Sequence, residues 1–258
     1  MKKLFVFDID GTLVDPITHQ IPVSAFKAIN TLKSEGHIVG IATGRNKSQF
    51  QKVLRESDFD FIILCNGGYI EMNNEVFHKE VFTKDDKYKI GKAFTDNGYI
   101  FGTTTHEKLY ASVEGAHDNI SKVINKFNVI YPSYHKDFLD FDVFQFMAYE
   151  KADIRHELVE ELKDFDVFTY GPFGFDICLK HVNKAYAVKQ MIEFYKKEVS
   201  DVYVFGDADN DVENLKFAGT GIALGNASKK AKEASDYVTS DVGEDGIYKA
   251  LVHFGFIK

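Results

Sequence analysis

Four short apolar runs in this chain each stop at a cluster of polar residues, and that pattern constrains the fold more than any other feature. LFVF (4–7) runs into Asp8 and Asp10, and HIVGIA (37–42) into Thr43-Gly44-Arg45. FIIL (61–64) leads to Asn66-Gly67-Gly68, and VYVF (202–205) delivers Gly206-Asp207-Ala208-Asp209-Asn210-Asp211. Between the first two runs, SAFKAINTLKSEG (24–36) reads as a helix that Ser24 can cap, with Phe26, Ile29 and Leu32 on one face and Gly36 at its end. Strands alternating with helices are the signature of a parallel sheet with crossover helices. The carboxyl ends of parallel strands share one edge, where ligands bind. Asp8, Asp10, Thr43, Asn66, Asp207 and Asp211, far apart in the chain, are therefore expected to meet.

Two acids at the end of one buried strand demand a counter-charge, because burying an unpartnered carboxylate costs several kcal/mol or more. A cation or a proton must hold Asp8 and Asp10 together. The chain as a whole offers no surplus of positive charge: 31 Lys and Arg stand against 39 Asp and Glu, a net charge of −8. That balance gives no electrostatic footprint for nucleic acid or an anionic membrane. A phosphate site in such a chain has to be locally positive.

Cys65 and Cys178 have neither metal-binding spacing nor the look of a disulfide framework, and Cys65 reads as a buried thiol. MKKLFVF resembles a signal peptide only until Asp8 cuts the apolar run short, and no run approaches the ~18 apolar residues of a membrane span. A cytoplasmic location is the expectation. With 258 residues, 4 Pro and no low-complexity tract, the chain has room for one or two domains and no long linker.

Residues 84–182 read differently. Helical stretches at 87–98 and 152–163 alternate with candidate strands YIFGTTT, KLYASVE, VFQFMAYE and FDICLK, and polar clusters at strand ends are missing. This is an α+β insertion that splits the parallel-sheet domain into 1–83 and 183–258.

DIDGTL (8–13), IATGR (41–45), CNGG (65–68), Lys184 opening a helix, and GDADND (206–211) together resemble the haloacid dehalogenase superfamily. The long insertion before Lys184 and the tail LKFAGTGIALGNASKKAKEASDYVT are similar to its Cof-type (subfamily IIB) phosphatases. The resemblance implies an α/β fold, with a Rossmann-like doubly wound parallel-sheet core and an inserted cap that sets specificity. It also implies a Mg²⁺-dependent phosphomonoesterase acting on a small phosphorylated metabolite, sugar phosphates first, as a monomer or small homo-oligomer. Asp8 would be the nucleophile that becomes an aspartyl-phosphate, and Asp10 the general acid and then base. Mg²⁺ would take Asp8, the Asp10 carbonyl and Asp207, with Asp211 close by or acting through water. Gly11 would let the backbone pass the phosphate, Thr43, the Gly44 amide and Lys184 would bind phosphoryl oxygens, and Asn66 and Asn210 would help hold substrate or phosphate. Arg45 is divided between a ligand role and a surface position.

Other readings of these residues are weaker. DADND lacks the Gly and Glu of a calcium loop, since Val212 and Ala218 stand at those positions. GTGIALG (219–225) misses the G-x-G-x-x-G spacing and reads as a structural turn, and the nine His are scattered, with His181 near Lys184. Around Lys184 the chain has LKHVNKAY where the family more often carries Pro and Gly before the lysine and Gly after it, so the local turn is expected to differ. A sugar phosphomutase and a non-catalytic Mg²⁺/metabolite-binding regulator share the fold; turnover separates them from a phosphatase. Specificity is expected in the insertion, with YGPFGF (170–175) as candidates.

Overall fold

A computed structural model describes residues 2–55, 58–137, 140–169 and 172–258. The described chain builds two sheets. The first segment contributes β1 (Leu4–Phe7), β2 (Ile38–Ala42), β3 (Phe61–Leu64), β4 (Tyr69–Met72) and β5 (Glu75–Lys79). The insertion contributes β6 (Phe101–Thr104), β7 (Leu109–Ala111), β8 (Ser133–Tyr134), β9 (Gln145–Ala148), β10 (Phe165–Thr169) and β11 (Phe175–Leu179). The last segment returns with β12 (Val202–Gly206), β13 (Thr220–Ala223) and β14 (Tyr237–Val238).

The larger sheet has the order β14-β13-β12-β1-β2-β3-β4-β5, parallel from β14 to β3. Its central strands β1, β2, β3 and β12 are apolar because both faces are covered, whereas β5 at one edge is largely exposed and carries Glu75, His78 and Lys79. Leu4 and Val6 point to a core shared with α6 (Lys184–Tyr195), α7 (Val212–Phe217) and α8 (Lys229–Ala234). Phe5 and Phe7 point to the opposite core, shared with α1 (Val23–Ser34), the short α2 (Lys47–Gln51) and α9 (Gly246–His253). Burying each such side chain contributes about 1.5–3 kcal/mol. Register then aligns the strand ends: Phe7 sits opposite Ile41 and Phe205, and Ala42 opposite Ile63. The polar residues that follow these positions emerge side by side where β2 and β12 flank β1, the point at which such sheets bind ligands.

The smaller sheet, in the order β10-β11-β9-β6-β7-β8, is antiparallel except for β7 with β8. It packs with α3 (Lys84–Asp96), α4 (Asp118–Phe127) and the short α5 (Val159–Leu162) through Ile90, Phe94, Ile120, Val123, Leu158 and Leu162. This is the core-plus-cap α/β architecture. No helix among the described residues is long and apolar enough to cross a membrane.

Several local expectations are corrected. The α1 helix presents Ala25, Ala28, Ile29 and Leu32 to the core and leaves Phe26 43% exposed. Small alanines let the helix lie close to the sheet, and that turns Phe26 outward. Pro22 takes the N-cap position, and the Ser24 hydroxyl donates to Asp245 instead of capping. The stretch 152–163 is a 3₁₀ turn, Ala152–His156, followed by α5, interrupted at Leu158 with φ −106° and ψ 21°. Residues 220–223 of GTGIALG form the central strand β13, because pairing with β12 and β14 overrides the local preference of glycine. The β4–β5 hairpin was not anticipated; its signal is Asn73-Asn74, both at positive φ, as a two-residue hairpin turn requires.

The core closes on itself at Gly67, which has φ +105°. A Cβ there would lie 2.2 Å from the Asn183 carbonyl oxygen, at the start of α6. Gly67→Ala should therefore destabilise the protein by at least about 2 kcal/mol, from overpacking and backbone strain together. Urea unfolding measures it, and a loss under about 0.5 kcal/mol would mean that this junction yields easily.

Candidate active site

Asp8 follows β1 and is 6% exposed, its backbone amide still donating to Phe205 across the sheet. Facing it is Lys184, the first residue of α6 and 1% exposed. Despite the unusual turn before it, Lys184 is delivered accurately, because Asn183 caps the helix by accepting from the Tyr186 amide at 2.9 Å. The Lys184 ammonium donates to Asp8 Oδ1 at 2.6 Å and to Asp211 Oδ1 at 2.7 Å. Asp211 Oδ2 accepts from the backbone amides of Asp207 and Ala208, both at 3.0 Å. Asp207 in turn accepts from the Thr12 hydroxyl at 2.8 Å. A side chain at position 11 would meet Asp207, since a Cβ there would lie 2.2 Å from its Oδ2. The loop carrying Gly11 is held by Asn226, whose side-chain amide donates to the Gly11 carbonyl at 2.7 Å.

Asp8, Asp207 and Asp211 each place one carboxylate oxygen within 4.8 Å of the others. Three carboxylates against one ammonium leave two negative charges uncompensated. Burial raises the Asp8 carboxyl to about 7; Lys184 pulls it down, and Asp211 and Asp10 push it up again. Asp207 is raised well above the usual carboxylate range by burial, then by Asp8 and Asp211. Lys184 is pulled down by its own burial, yet Asp211 and Asp8 outweigh this and raise it. Hard oxygen donors with a two-charge deficit fit a divalent cation such as Mg²⁺. Asp211 already spends both oxygens on Lys184 and the backbone, which leaves Asp8 and Asp207 as the nearer ligands.

Asp10 lies outside this cluster. Its carboxylate is held in a fork by Arg45, with Nε at 2.8 Å from Oδ2 and Nη2 at 2.7 Å from Oδ1. Arg45 is 5% exposed and also donates to the Gln49 carbonyl at 2.9 Å and to the Phe127 carbonyl, at the end of α4 in the cap, at 3.3 Å. It is thus not a surface residue, and in this arrangement its guanidinium is spent on the Asp10 carboxylate. Thr43 is buried beside it and its hydroxyl accepts from the Arg45 amide at 3.2 Å.

Asn66, at φ 54° and 1% exposed, accepts from the Asn210 side chain at 2.8 Å, so the two amides are brought together. Its own Nδ2 donates across to the cap, to Gln145 Oε1 at 3.1 Å. Gln145 closes the link by donating to the Gly44 carbonyl at 3.3 Å. Sequence reasoning missed Thr12, Asn183, Asn226, Gln145 and Asp176. The N-cap spacing of Asn183 from Tyr186 was a usable signal; Gln145 and Asp176 sit within apolar strands and carry none. His181 is exposed, with its ring against Tyr186. Cys65 and Cys178 are both free and buried. Of the YGPFGF candidates, Tyr170 and Gly171 lie outside the described residues. A cavity of about 640 Å³ joins Asp8, Asp10, Thr43 and Asp207 to the cap residues Gln145 and Asp176.

Comparison with known proteins gives a consistent picture. The family profile described as haloacid dehalogenase-like hydrolase matches residues 5–251. The Bacillus subtilis protein YkrA is 29% identical over 258 residues, covering 100% of this chain and 99% of its own length. A phosphoglycolate phosphatase from Methanothermobacter thermautotrophicus is 30% identical over 256 residues, covering 98% of each. Among solved structures, a HAD subclass IIB sugar phosphatase superposes with a TM-score of 0.90 at 26% identity, covering 99% of this chain and 100% of that one.

The raised Asp8 carboxyl has a consequence for stability. An acid whose folded value rises from about 4 to about 7 favours the folded state at low pH and loses that contribution as pH climbs through the window between them. In chelator the protein should lose stability across that range. Saturating Mg²⁺, which needs the ionised carboxylates, should raise the thermal midpoint more at pH about 8 than at pH about 5.5. Thermal unfolding with and without metal checks this, and equal shifts at both pH values contradict it.

Proposed function

The chain belongs to the haloacid dehalogenase-like hydrolases, and on that premise we propose that it is a Mg²⁺-dependent phosphomonoesterase of a small polyol or sugar phosphate, working through an aspartyl-phosphate on Asp8. Its class is that of the Cof-type phosphatases, which act on phosphorylated metabolites. The observation that carries the finer reading is the charge balance at the sheet edge: three clustered carboxylates around one buried ammonium. We assign residues 1–83 and 183–258 to the catalytic core and 84–182 to the cap that reads the leaving group.

In this reading an Asp8 oxygen attacks phosphorus as the ester P–O bond breaks. Asp10 gives a proton to the departing alkoxide, and in the second half-reaction takes one from the water that hydrolyses the acyl phosphate. Because Arg45 holds both Asp10 oxygens, the acid must be released from that fork before it reaches the leaving oxygen; a substrate phosphate competing for the guanidinium would do this. Thr43, the Gly44 amide and Lys184 are assigned to the phosphoryl oxygens, where fixed donors match the spread charge of the transition state. Asn66 and Asn210 hold the substrate side of the site. Asp8, Asp207 and the Asp10 carbonyl, with Asp211 behind them, would hold Mg²⁺, which would supply positive charge against the phosphoryl oxygens.

A panel of phosphorylated metabolites tests the function directly. Mg²⁺-dependent release of free phosphate, lost in chelator, is expected. An isomerised ester without free phosphate, or no turnover at all, overturns the hydrolase reading. Asp8→Asn should fold and lose at least about 10³-fold in kcat; near-native activity in the purified variant removes the covalent mechanism.

The two acids should separate by leaving group. Asp10→Asn cannot protonate a sugar alkoxide and should barely form phosphoenzyme from sugar phosphates. Nitrophenolate leaves without help, so nitrophenyl phosphate should give a burst of about one equivalent per active site and then a stalled covalent enzyme. Rapid quench and intact mass report both. A burst equally crippled with both leaving groups takes Asp10 out of the acid–base role.

A further inference from the structure

Asp176 is the second residue of β11, on the cap side of the cavity that holds Asp8. Its carboxylate is poorly supplied with donors. Oδ2 receives one long hydrogen bond, from Asn66 Nδ2 at 3.4 Å, and Oδ1 is shut from water with no partner. A carboxylate oxygen closed off from water is ordinarily hydrogen-bonded, so the half-buried Asp176 is short of a partner at Oδ1. Its position adds meaning, because the Asn66 amide that reaches for it also contacts Gln145 and is bound by Asn210. The cap carboxylate therefore meets the core inside the cavity that Asp8 also lines, on the side away from the core strands.

We propose that Asp176 is a specificity-determining residue that accepts a hydrogen bond from a hydroxyl group on the leaving group of an uncharged polyol phosphate. This rests on the phosphomonoesterase reading above. A hydroxyl suits the gap better than an ammonium does. It donates to the carboxylate, and its oxygen can accept the Asn66 N–H that now reaches Asp176 only at 3.4 Å, whereas an ammonium has no lone pair for the amide. A second anionic group on the substrate is disfavoured, since five aspartates line the cavity against Arg45 and Lys126. Burial also pushes the Asp176 carboxyl up to about 7, with Asn66 pulling against it, as expected of a group lacking donors.

The experiment compares the full-length wild-type enzyme with Asp176→Asn and Asp176→Ala, in Mg²⁺, on three kinds of ester. These are hexose monophosphates, their singly deoxygenated analogues and 4-nitrophenyl phosphate. In Asp176→Ala the ratio of hexose-phosphate to nitrophenyl-phosphate kcat/KM should fall about 10- to 100-fold, the range for a hydrogen bond to a charged group. Asp176→Asn, which keeps an acceptor oxygen, should recover part of that ratio. With wild-type protein one deoxy analogue should lose a similar factor, and in Asp176→Ala that same deletion should cost nothing more. An unchanged ratio, or a deoxy penalty that persists in the alanine variant, overturns the assignment. The deoxy series on wild-type protein needs no variant to fold, and the absence of any deoxy penalty there overturns it equally. Nitrophenyl turnover without preference for any polyol phosphate defeats this inference alone, whereas no phosphate release from any ester defeats the phosphomonoesterase reading with it.

Discussion

The ammonium of Lys184, enclosed between Asp8 and Asp211 with 1% of its side chain exposed, is the interaction on which the rest of the site depends. Desolvating a charge costs several kcal/mol even after the protein relaxes, and stripping one partner from a buried pair costs about 3–5 kcal/mol. The fold meets that cost with geometry. Asn183 caps α6 so that its first residue is Lys184, and Gly67 lets the end of β3 pass within contact of that cap. Asp211 is fixed from behind by two backbone amides. Lys184 can neutralise one carboxylate of the cluster, and the remaining two charges create the demand for a divalent cation.

Around that centre the chain separates two kinds of work. The parallel sheet brings Asp8, Thr43, Asn66 and Asp207 to one edge through register alone, and its apolar faces bury the strands that carry them. The cap supplies the far wall of the cavity, and there it meets the core through polar contacts, Gln145 with Gly44 and Asn66 and the Phe127 carbonyl with Arg45, while Phe144 packs on Tyr69 beside them. Closing a cavity in this way excludes water and strengthens every charge interaction inside it. Arg45 spans the boundary, holding Asp10 of the core and the last carbonyl of a cap helix at once. The proton-transferring residue of the proposed mechanism is thereby tied to the position of the cap.

The expectations drawn from residue order alone succeeded where local chemistry is unambiguous. LFVF, FIIL and VYVF are too apolar for any place but a doubly covered strand, and all three are strands within a residue of the expected limits. They failed where pairing partners decide. GTGIALG looks like a turn because glycine is a poor strand former, yet two neighbouring strands make residues 220–223 central. Phe26 looks like a core residue because it is large, yet the helix needs its alanines against the sheet.

By itself the sequence determined that this chain builds a parallel sheet whose strand ends collect acids, because continuous apolar runs must be buried on both faces and parallel strands share one carboxyl edge. It could not determine which groups those acids meet. The Arg45 fork on Asp10 joins residues 35 apart, and the contact of Asn66 with Asp176 joins residues 110 apart. Neither leaves a local signal, since hydrogen bonds between side chains follow from rotamers and from the docking of one sheet over another. Only the folded molecule, with the cap laid across the core, decided that Asp10 is held by an arginine and that Asp176 stands short of donors over the cavity.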